Sequence, residues 1–304
     1  MAAVNLAEMK SEEFKEFLNS FDTVLTDCDG VLWIWSETIA GSPQAINRLK
    51  EIGKKIFYVT NNSTKTREEL YKKSQDMGFH SNKEEVVSTA YLAAKYLQEQ
   101  GFKDKVYVIG STGITQEMDM VGIKHTDIGP DPMPGALTQL ISQKLDPEVK
   151  AVVVGFDEHF SYPKMLKAAS YLARKDCLFV ATNTDEQFPM NTDLIIPGTG
   201  SIVRAVETCG ARSAFVVGKP HSYISDFLVK THKIDPKRTI MIGDRCNTDI
   251  LLGKRCGFRT LLVLSGVSTL QEINSWKESK DEELKNLVPD YYIGKLGELL
   301  PRLE

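Results

Sequence analysis

Thr23 to Trp33 reads TVLTDCDGVLW. An apolar run rich in β-branched residues ends on two aspartates one residue apart, then a glycine, then more apolar residues. Such a run favours a pleated, buried strand, and Asp before Gly is turn chemistry. The stretch predicts a strand over 23–26 that breaks at Asp27-Cys28-Asp29-Gly30. Residues i and i+2 of an extended chain point the same way, so Asp27 and Asp29 are expected to face one site with Cys28 turned away. Gly30 lets the backbone leave the sheet with no Cβ in the path of a ligand.

The same pattern recurs along the chain. KIFYVT (55–60), VYVI (106–109), AVVVG (151–155), LFVAT (178–182), AFVVG (214–218), TIMIG (239–243) and TLLVL (260–264) all read as strands. Amphipathic stretches with recognisable ends lie between them. Ser42-Pro43 reads as the N-cap and first-turn proline of a helix closed by Gly53. Thr66-Arg67-Glu68-Glu69 is a capping box for a helix that stops near Gly78. Ser88 and Gly101 bracket another, as do Arg245 and Gly257. Strands alternating with helices imply a mostly parallel sheet covered on both faces, with ligands beyond the carboxyl ends of the strands.

Composition sets the outer bounds. At 304 residues the chain is long for a single core, which predicts two domains or one domain with a large insertion. Hydrophobic residues at 42% and charged residues at 26% belong to a globular protein rather than a disordered one. A formal net charge of -4 gives no electrostatic reason to expect nucleic acid or an anionic membrane as partner. The first residues lack a signal-peptide layout, and no apolar run approaches the ~20 residues of a membrane span. Cys28, Cys177, Cys209, Cys246 and Cys256 are odd in number and form no C-x-x-C pair, which predicts reduced thiols in a cytoplasmic protein. The histidines are dispersed, so no zinc site is expected. SWKESKDEELKN (275–286) reads as a solvated helix face.

Four of the strand ends carry polar residues that chemistry can use: Asp27-Cys28-Asp29-Gly30, Thr60-Asn61-Asn62-Ser63, Lys219-Pro220 after AFVVG, and Asp244-Arg245-Cys246-Asn247-Thr248-Asp249 after TIMIG. Singly, each has a bland reading as a turn, a loop, a surface lysine or a helix N-cap. Together they predict a cluster at one sheet edge. Asp27, Asp29, Asp244 and Asp249 would crowd one another unless a cation joins them, and a few carboxylates with water and phosphate oxygens suit Mg²⁺. Thr60 and the Asn61 or Asn62 donors, with Lys219 as a point charge, can hold phosphate oxygens. Asp27 is then the nucleophile and Asp29 the proton donor and acceptor, which is two-step phosphoryl transfer through an aspartyl phosphate.

DCDGVLW, VTNNS, VGKP and GDRCNTDI resemble, in order, the four motifs of the haloacid dehalogenase-like phosphatases. VTNNSTKTREEL, VVVGFDEHFSY, IPGTGSIVRAVE and VVGKPHSYI are similar to the 4-nitrophenylphosphatase, phosphoglycolate phosphatase and pyridoxal phosphatase group, over nearly the full chain. The resemblance implies an α/β fold: a Rossmann-like parallel-sheet core, residues 1–104 and 213–304, split by an inserted α/β cap of the C2 type, residues 105–212. It implies Asp27 as nucleophile and Mg²⁺ ligand. Asp29 is implied as acid/base, meeting Mg²⁺ through its main-chain carbonyl, and Asp244 as the remaining protein ligand. Asp249 would support the metal from behind, while Thr60, Asn61, Asn62 and Lys219 bind phosphate. A small phosphorylated metabolite as substrate and a homodimer formed through the cap are further implications.

One position departs from the pyridoxal phosphatases, which resemble each other in a cap-loop histidine before a proline. This chain has Phe188 before Pro189. A phenyl ring cannot replace a histidine's hydrogen bond, so Phe188 as a substrate contact points to 4-nitrophenyl phosphate or 2-phosphoglycolate-like esters. Pyridoxal 5'-phosphate or a phosphoprotein is the alternative substrate. Phe188 as plain cap core is the bland reading.

Other classes fare worse. Gly198-Thr199-Gly200 opens a helical pattern, but Val203 stands where a dinucleotide fingerprint needs a small residue. Gly218-Lys219-Pro220 has proline where a P-loop needs Ser or Thr. A receiver-like phosphoacceptor without turnover also gathers acids, Thr and Lys around Mg²⁺, but it has no use for Asp29 or for an insertion.

Overall fold

In a computed structural model the chain is described over residues 3–188 and 193–303. It forms two compact units, one of residues 1–60, 68–87 and 219–304, the other of residues 61–67 and 88–218. The expected insertion, 105–212, lies within the second.

The first unit is built on a seven-stranded sheet. From edge to edge its strands are Val4–Asn5, Tyr291–Ile293, Arg259–Val263, Thr239–Gly243, Thr23–Thr26, Lys55–Thr60 and Val86–Ser88. The pairings from Val4–Asn5 through to Lys55–Thr60 are all parallel. Thr23–Thr26 sits between Thr239–Gly243 and Lys55–Thr60 in continuous register, Val24 opposite both Ile240 and Ile56. Strands buried on both faces read as unbroken apolar runs, and Val24, Leu25, Ile240, Met241 and Leu261 are indeed fully buried. A parallel sheet aligns its carboxyl ends on one edge, so Asp27, Thr60 and Asp244 emerge there from three adjacent strands.

The second unit holds a five-stranded parallel sheet in the order Phe215–Val216, Leu178–Ala181, Val149–Val154, Lys105–Ile109, Lys124–His125. It has its own core, in which Ile109, Val152, Val154, Ala181, Val203 and Val206 are fully buried. Phe215–Val216 is therefore not a strand of the first sheet. This corrects the expectation that AFVVG would end beside the other three motif strands, because its register partners are Val180 and Ala181.

Two helix ends also differ from the sequence reading. Gly41, at φ 82°, is the N-cap of the helix Ser42–Glu51, and Ser42 is already helical, its hydroxyl donating to Leu32 O at 2.7 Å. The Arg245–Gly257 helix begins as a π-helical turn, Cys246–Ile250, and becomes α-helical only at Leu251. Ser88 does cap Thr89–Glu99, accepting from Tyr91 N–H. Among the described residues no helix is long and apolar enough to cross a membrane.

Candidate active site

Lys219 organises the carboxyl edge of the first sheet. Its ammonium lies 2.6 Å from Asp27 Oδ1 and 2.8 Å from Asp249 Oδ1, and donates to Val59 O at 3.1 Å, with only 2% of the side chain exposed. Asp27 is the first residue past its strand, and its N–H donates to Ile242 O of the neighbouring strand at 2.8 Å. Asp244 follows Thr239–Gly243. Carboxylate oxygens of Asp27, Asp244 and Asp249 all lie within 4.8 Å of one another. Thr60, buried, closes the adjacent strand.

Asp244 is not the helix cap of the bland reading. Its Oδ2 accepts the N–H of Val267 at 2.9 Å, while Arg245 stands at the cap position. Two glycines make room for it: a Cβ on Gly30 would meet Asp244 Oδ2 at 2.5 Å, and one on Gly266 would meet it at 1.9 Å. Gly30 also has φ +86°, so both space and backbone conformation demand glycine there.

Asp29 behaves differently from Asp27. The strand ends at Thr26, so strict alternation does not carry through to Asp29. Cys28 does turn into the core. The Asp29 carboxylate instead accepts the indole N–H of Trp33 at 3.0 Å and is not one of the three clustered carboxylates. Trp33 escaped the sequence reading, although an aromatic four residues past Asp29 was the available signal.

The electrostatics ask for a cation. Burial, then Asp27, then Asp249 hold the Asp244 carboxyl well above its usual range. Burial also raises Asp27, against the pull of Lys219, and raises Asp249 to about 6. Asp29 is raised by burial, with Lys73 and the Trp33 hydrogen bond opposing. Burial pulls the Lys219 ammonium down, but Asp249 and Asp27 outweigh it and the group stays charged. One buried ammonium thus faces a clear excess of buried carboxylate. Oxygen donors crowded in this way fit a hard divalent cation, which would favour the charged forms of Asp27 and Asp244. Asp249 pairs through Oδ1 with the Lys219 ammonium at 2.8 Å, and its Oδ2 accepts the N–H of Arg245 at 3.1 Å, contacts that suit a supporting position.

Asn61, Asn62 and Phe188 belong to the second unit. There the Asn61 carbonyl accepts from Thr89 Oγ1 and Asn183 Nδ2, each at 2.8 Å, and its own amide donates to Asp185 Oδ1 at 3.0 Å. Asn62 Oδ1 accepts both the N–H and the hydroxyl of Thr64, a local turn. Asn183 and Asp185 are further residues that the sequence did not single out. Phe188 is half-buried, its N–H on Ile196 O at 2.9 Å and its ring centroid 5.5 Å from that of Phe156. Phe156 in turn lines a cavity of about 440 Å³ with Phe160, Ile196, Pro197 and Ile202. Pro189, which marked the loop in the sequence, lies outside the described residues.

A family model described as haloacid dehalogenase-like hydrolase matches residues 24–124, and another described as HAD-hydrolase-like matches residues 216–298. The chain is 45% identical over 300 residues to glycerol-3-phosphate phosphatase of Gallus gallus, covering 97% of this chain and 96% of the relative. It is 37% identical over 302 residues to chronophin of Homo sapiens, covering 97% and 98%. Among solved structures, p-nitrophenyl phosphatase from Archaeoglobus fulgidus is similar with a TM-score of 0.78 at 28% identity, covering 93% of this chain and 99% of that one.

Proposed function

The chain belongs to the haloacid dehalogenase-like phosphatases, and from that we propose that it hydrolyses small phosphate monoesters through a phosphate ester of Asp27, with Mg²⁺ as cofactor. The observation that carries the proposal is the buried Lys219 ammonium held between Asp27 and Asp249, with Asp244 alongside. A structural ion pair needs one carboxylate per ammonium; this one has a surplus placed at a strand end, where ligands of parallel sheets bind.

Asp27, Asp244 and the main-chain carbonyl of Asp29 would hold the Mg²⁺, which when bound supplies positive charge against the carboxylates and the phosphoryl oxygens. The rest is the work of the side chains. Lys219 fixes Asp27 Oδ1, leaving the other oxygen to form a bond to phosphorus as the ester P–O bond breaks. Asp29 gives its proton to the departing oxygen. It then takes a proton from water, whose oxygen attacks phosphorus and releases Asp27 with inorganic phosphate. Thr60 and Lys219 serve the phosphoryl oxygens.

A metal-linked test separates this from a structural cluster. In EDTA, Asp244→Asn is expected to raise Tm above wild type, because it removes a carboxylate that burial and two neighbours disfavour. Added Mg²⁺ should stabilise wild type and leave the variant unchanged, as followed by thermal denaturation. A wild-type Tm indifferent to Mg²⁺ would remove the metal from the reading.

For the substrate, the relative at 45% identity carries the name glycerol-3-phosphate phosphatase, and Phe188 offers no hydrogen bond where a pyridoxal phosphatase would carry histidine. Both favour a compact aliphatic ester. We expect kcat/KM for glycerol 3-phosphate and 2-phosphoglycolate to exceed that for pyridoxal 5'-phosphate by about tenfold or more, the scale set by a missing polar contact. Steady-state kinetics with Mg²⁺ decides it, and preference for pyridoxal 5'-phosphate would overturn the reading of Phe188. Many turnovers of 4-nitrophenyl phosphate would exclude a receiver-like module, which gives one equivalent.

A further inference from the structure

Trp33 is an unusual group to find on a catalytic acid. It is 1% exposed, and its indole N–H reaches Asp29 Oδ1 at 3.0 Å. The indole itself is fixed from several sides. Phe79 meets it edge-on with centroids 5.7 Å apart, and the Lys73 ammonium lies 4.7 Å from the ring centre. Its backbone is fixed too: Trp33 N–H donates to Cys28 O at 3.2 Å, and Gly30 N–H donates to Trp33 O at 2.8 Å. The turn Cys28–Trp33 thus closes on itself and delivers the ring to the carboxylate. A buried indole N–H must find an acceptor; here the acceptor is the Asp29 carboxylate rather than a main-chain carbonyl, a contact that a phenylalanine in the same place could not make.

We propose that Trp33 is a positioning residue for the reaction. Its N–H holds the Asp29 carboxyl out of the Asp27, Asp244 and Asp249 cluster, leaving Asp29's other oxygen for the leaving group. The proposal rests on the role given to Asp29 above. Without the indole, the crowded Asp29 side chain can rotate to other donors, or toward the cation that its own main chain helps to bind. Proton delivery then loses its geometry while the nucleophile Asp27, held separately by Lys219, keeps its own.

The leaving group reads this out. An alkoxide such as that of glycerol must be protonated as it departs, whereas 4-nitrophenolate, its charge spread into the nitro group, leaves unprotonated. Asp29→Asn and Trp33→Phe are compared with wild type on glycerol 3-phosphate and 4-nitrophenyl phosphate, using kcat/KM because it reports the step that forms the phospho-enzyme. Asp29→Asn is expected to cost the alkyl ester about 10²-fold or more, the range of general acid catalysis. Trp33→Phe should cost the same ester about tenfold, a fraction of that range, with less than about twofold on the aryl ester. A merely structural tryptophan would lower both esters together. The same fall on both, or on neither, overturns the proposal. If Asp29→Asn shows no leaving-group preference, the proposal and the acid role fail together, and if wild type hydrolyses neither ester the phosphatase reading falls with them. Should Trp33→Phe fail to fold, β-(3-benzothienyl)alanine at position 33 keeps the bicyclic shape and removes only the N–H.

Discussion

Asp27→Asn is expected to abolish turnover in a protein that folds as before. The loss in kcat should be on the order of 10⁴-fold or more, the scale on which removal of a nucleophile is felt in covalent catalysis. An amide oxygen can still accept from Lys219, now 2.6 Å from Asp27 Oδ1, so the geometry survives. Burial already disfavours the Asp27 charge, and losing it should leave Tm in EDTA unchanged or raised. Acid-quenched wild type incubated with substrate should carry one phosphoryl group on the peptide containing Asp27, seen by mass spectrometry, and the variant none. A labelled Asp27→Asn, or one that retains activity, would move the nucleophile elsewhere.

The legibility of this site in the sequence follows from the parallel sheet. Central strands are buried on both faces, so TVLT, KIFYVT and TIMIG announce themselves as apolar runs, and the residue after each is at the ligand edge by geometry alone. That logic found Asp27, Thr60 and Asp244. It misassigned AFVVG, because an apolar run shows that a strand is buried and says nothing of which sheet buries it. The short elements were missed for a related reason. Trp33–Ile34 paired with Glu37–Thr38, and Tyr291–Ile293 at the seven-stranded sheet, are too brief for a period to show, and tertiary pairing decides them.

Side-chain partners were less legible still. Asp27 and Asp29 differ by nothing in the sequence except position, yet one meets an ammonium and the other an indole. That difference depends on Lys219, distant in the chain, and on a turn that brings Trp33 back to Asp29. Asn61 was expected among the phosphate-binding residues from its place after a strand. That its side-chain amide also donates to Asp185 in the second unit, a partner more than a hundred residues away, is something no local pattern indicates. The backbone of the motif was readable, while the hydrogen bonds that divide labour among its residues were not.

Lys219→Met is expected to damage stability and catalysis through one lesion. Methionine matches the length of the lysine stem, so packing is largely kept and the change is the lost charge. Asp27 and Asp249 then face one another across a buried space with no ammonium between them, and removal of one partner from a buried ion pair costs about 3–5 kcal/mol. In a chain of this size that corresponds to a fall in Tm of roughly 5–8 °C, measured in EDTA so that a cation does not stand in for the lysine. Activity should fall as well, because Asp27 loses the donor that orients it and the phosphoryl oxygens lose a point charge. The second-site variant Asp249→Asn tests the cause. Combined with Lys219→Met it removes one of the two unpaired charges and should recover part of the lost Tm, since contacting groups are not additive. It should recover none of the activity, because neither Asp27's orientation nor the charge on the phosphate is restored. Recovery of turnover together with Tm would mean that Lys219 matters only for folding; no change in Tm for Lys219→Met alone would mean that the carboxylates beside it are already protonated, and that the surplus of charge from which the metal site was inferred does not exist.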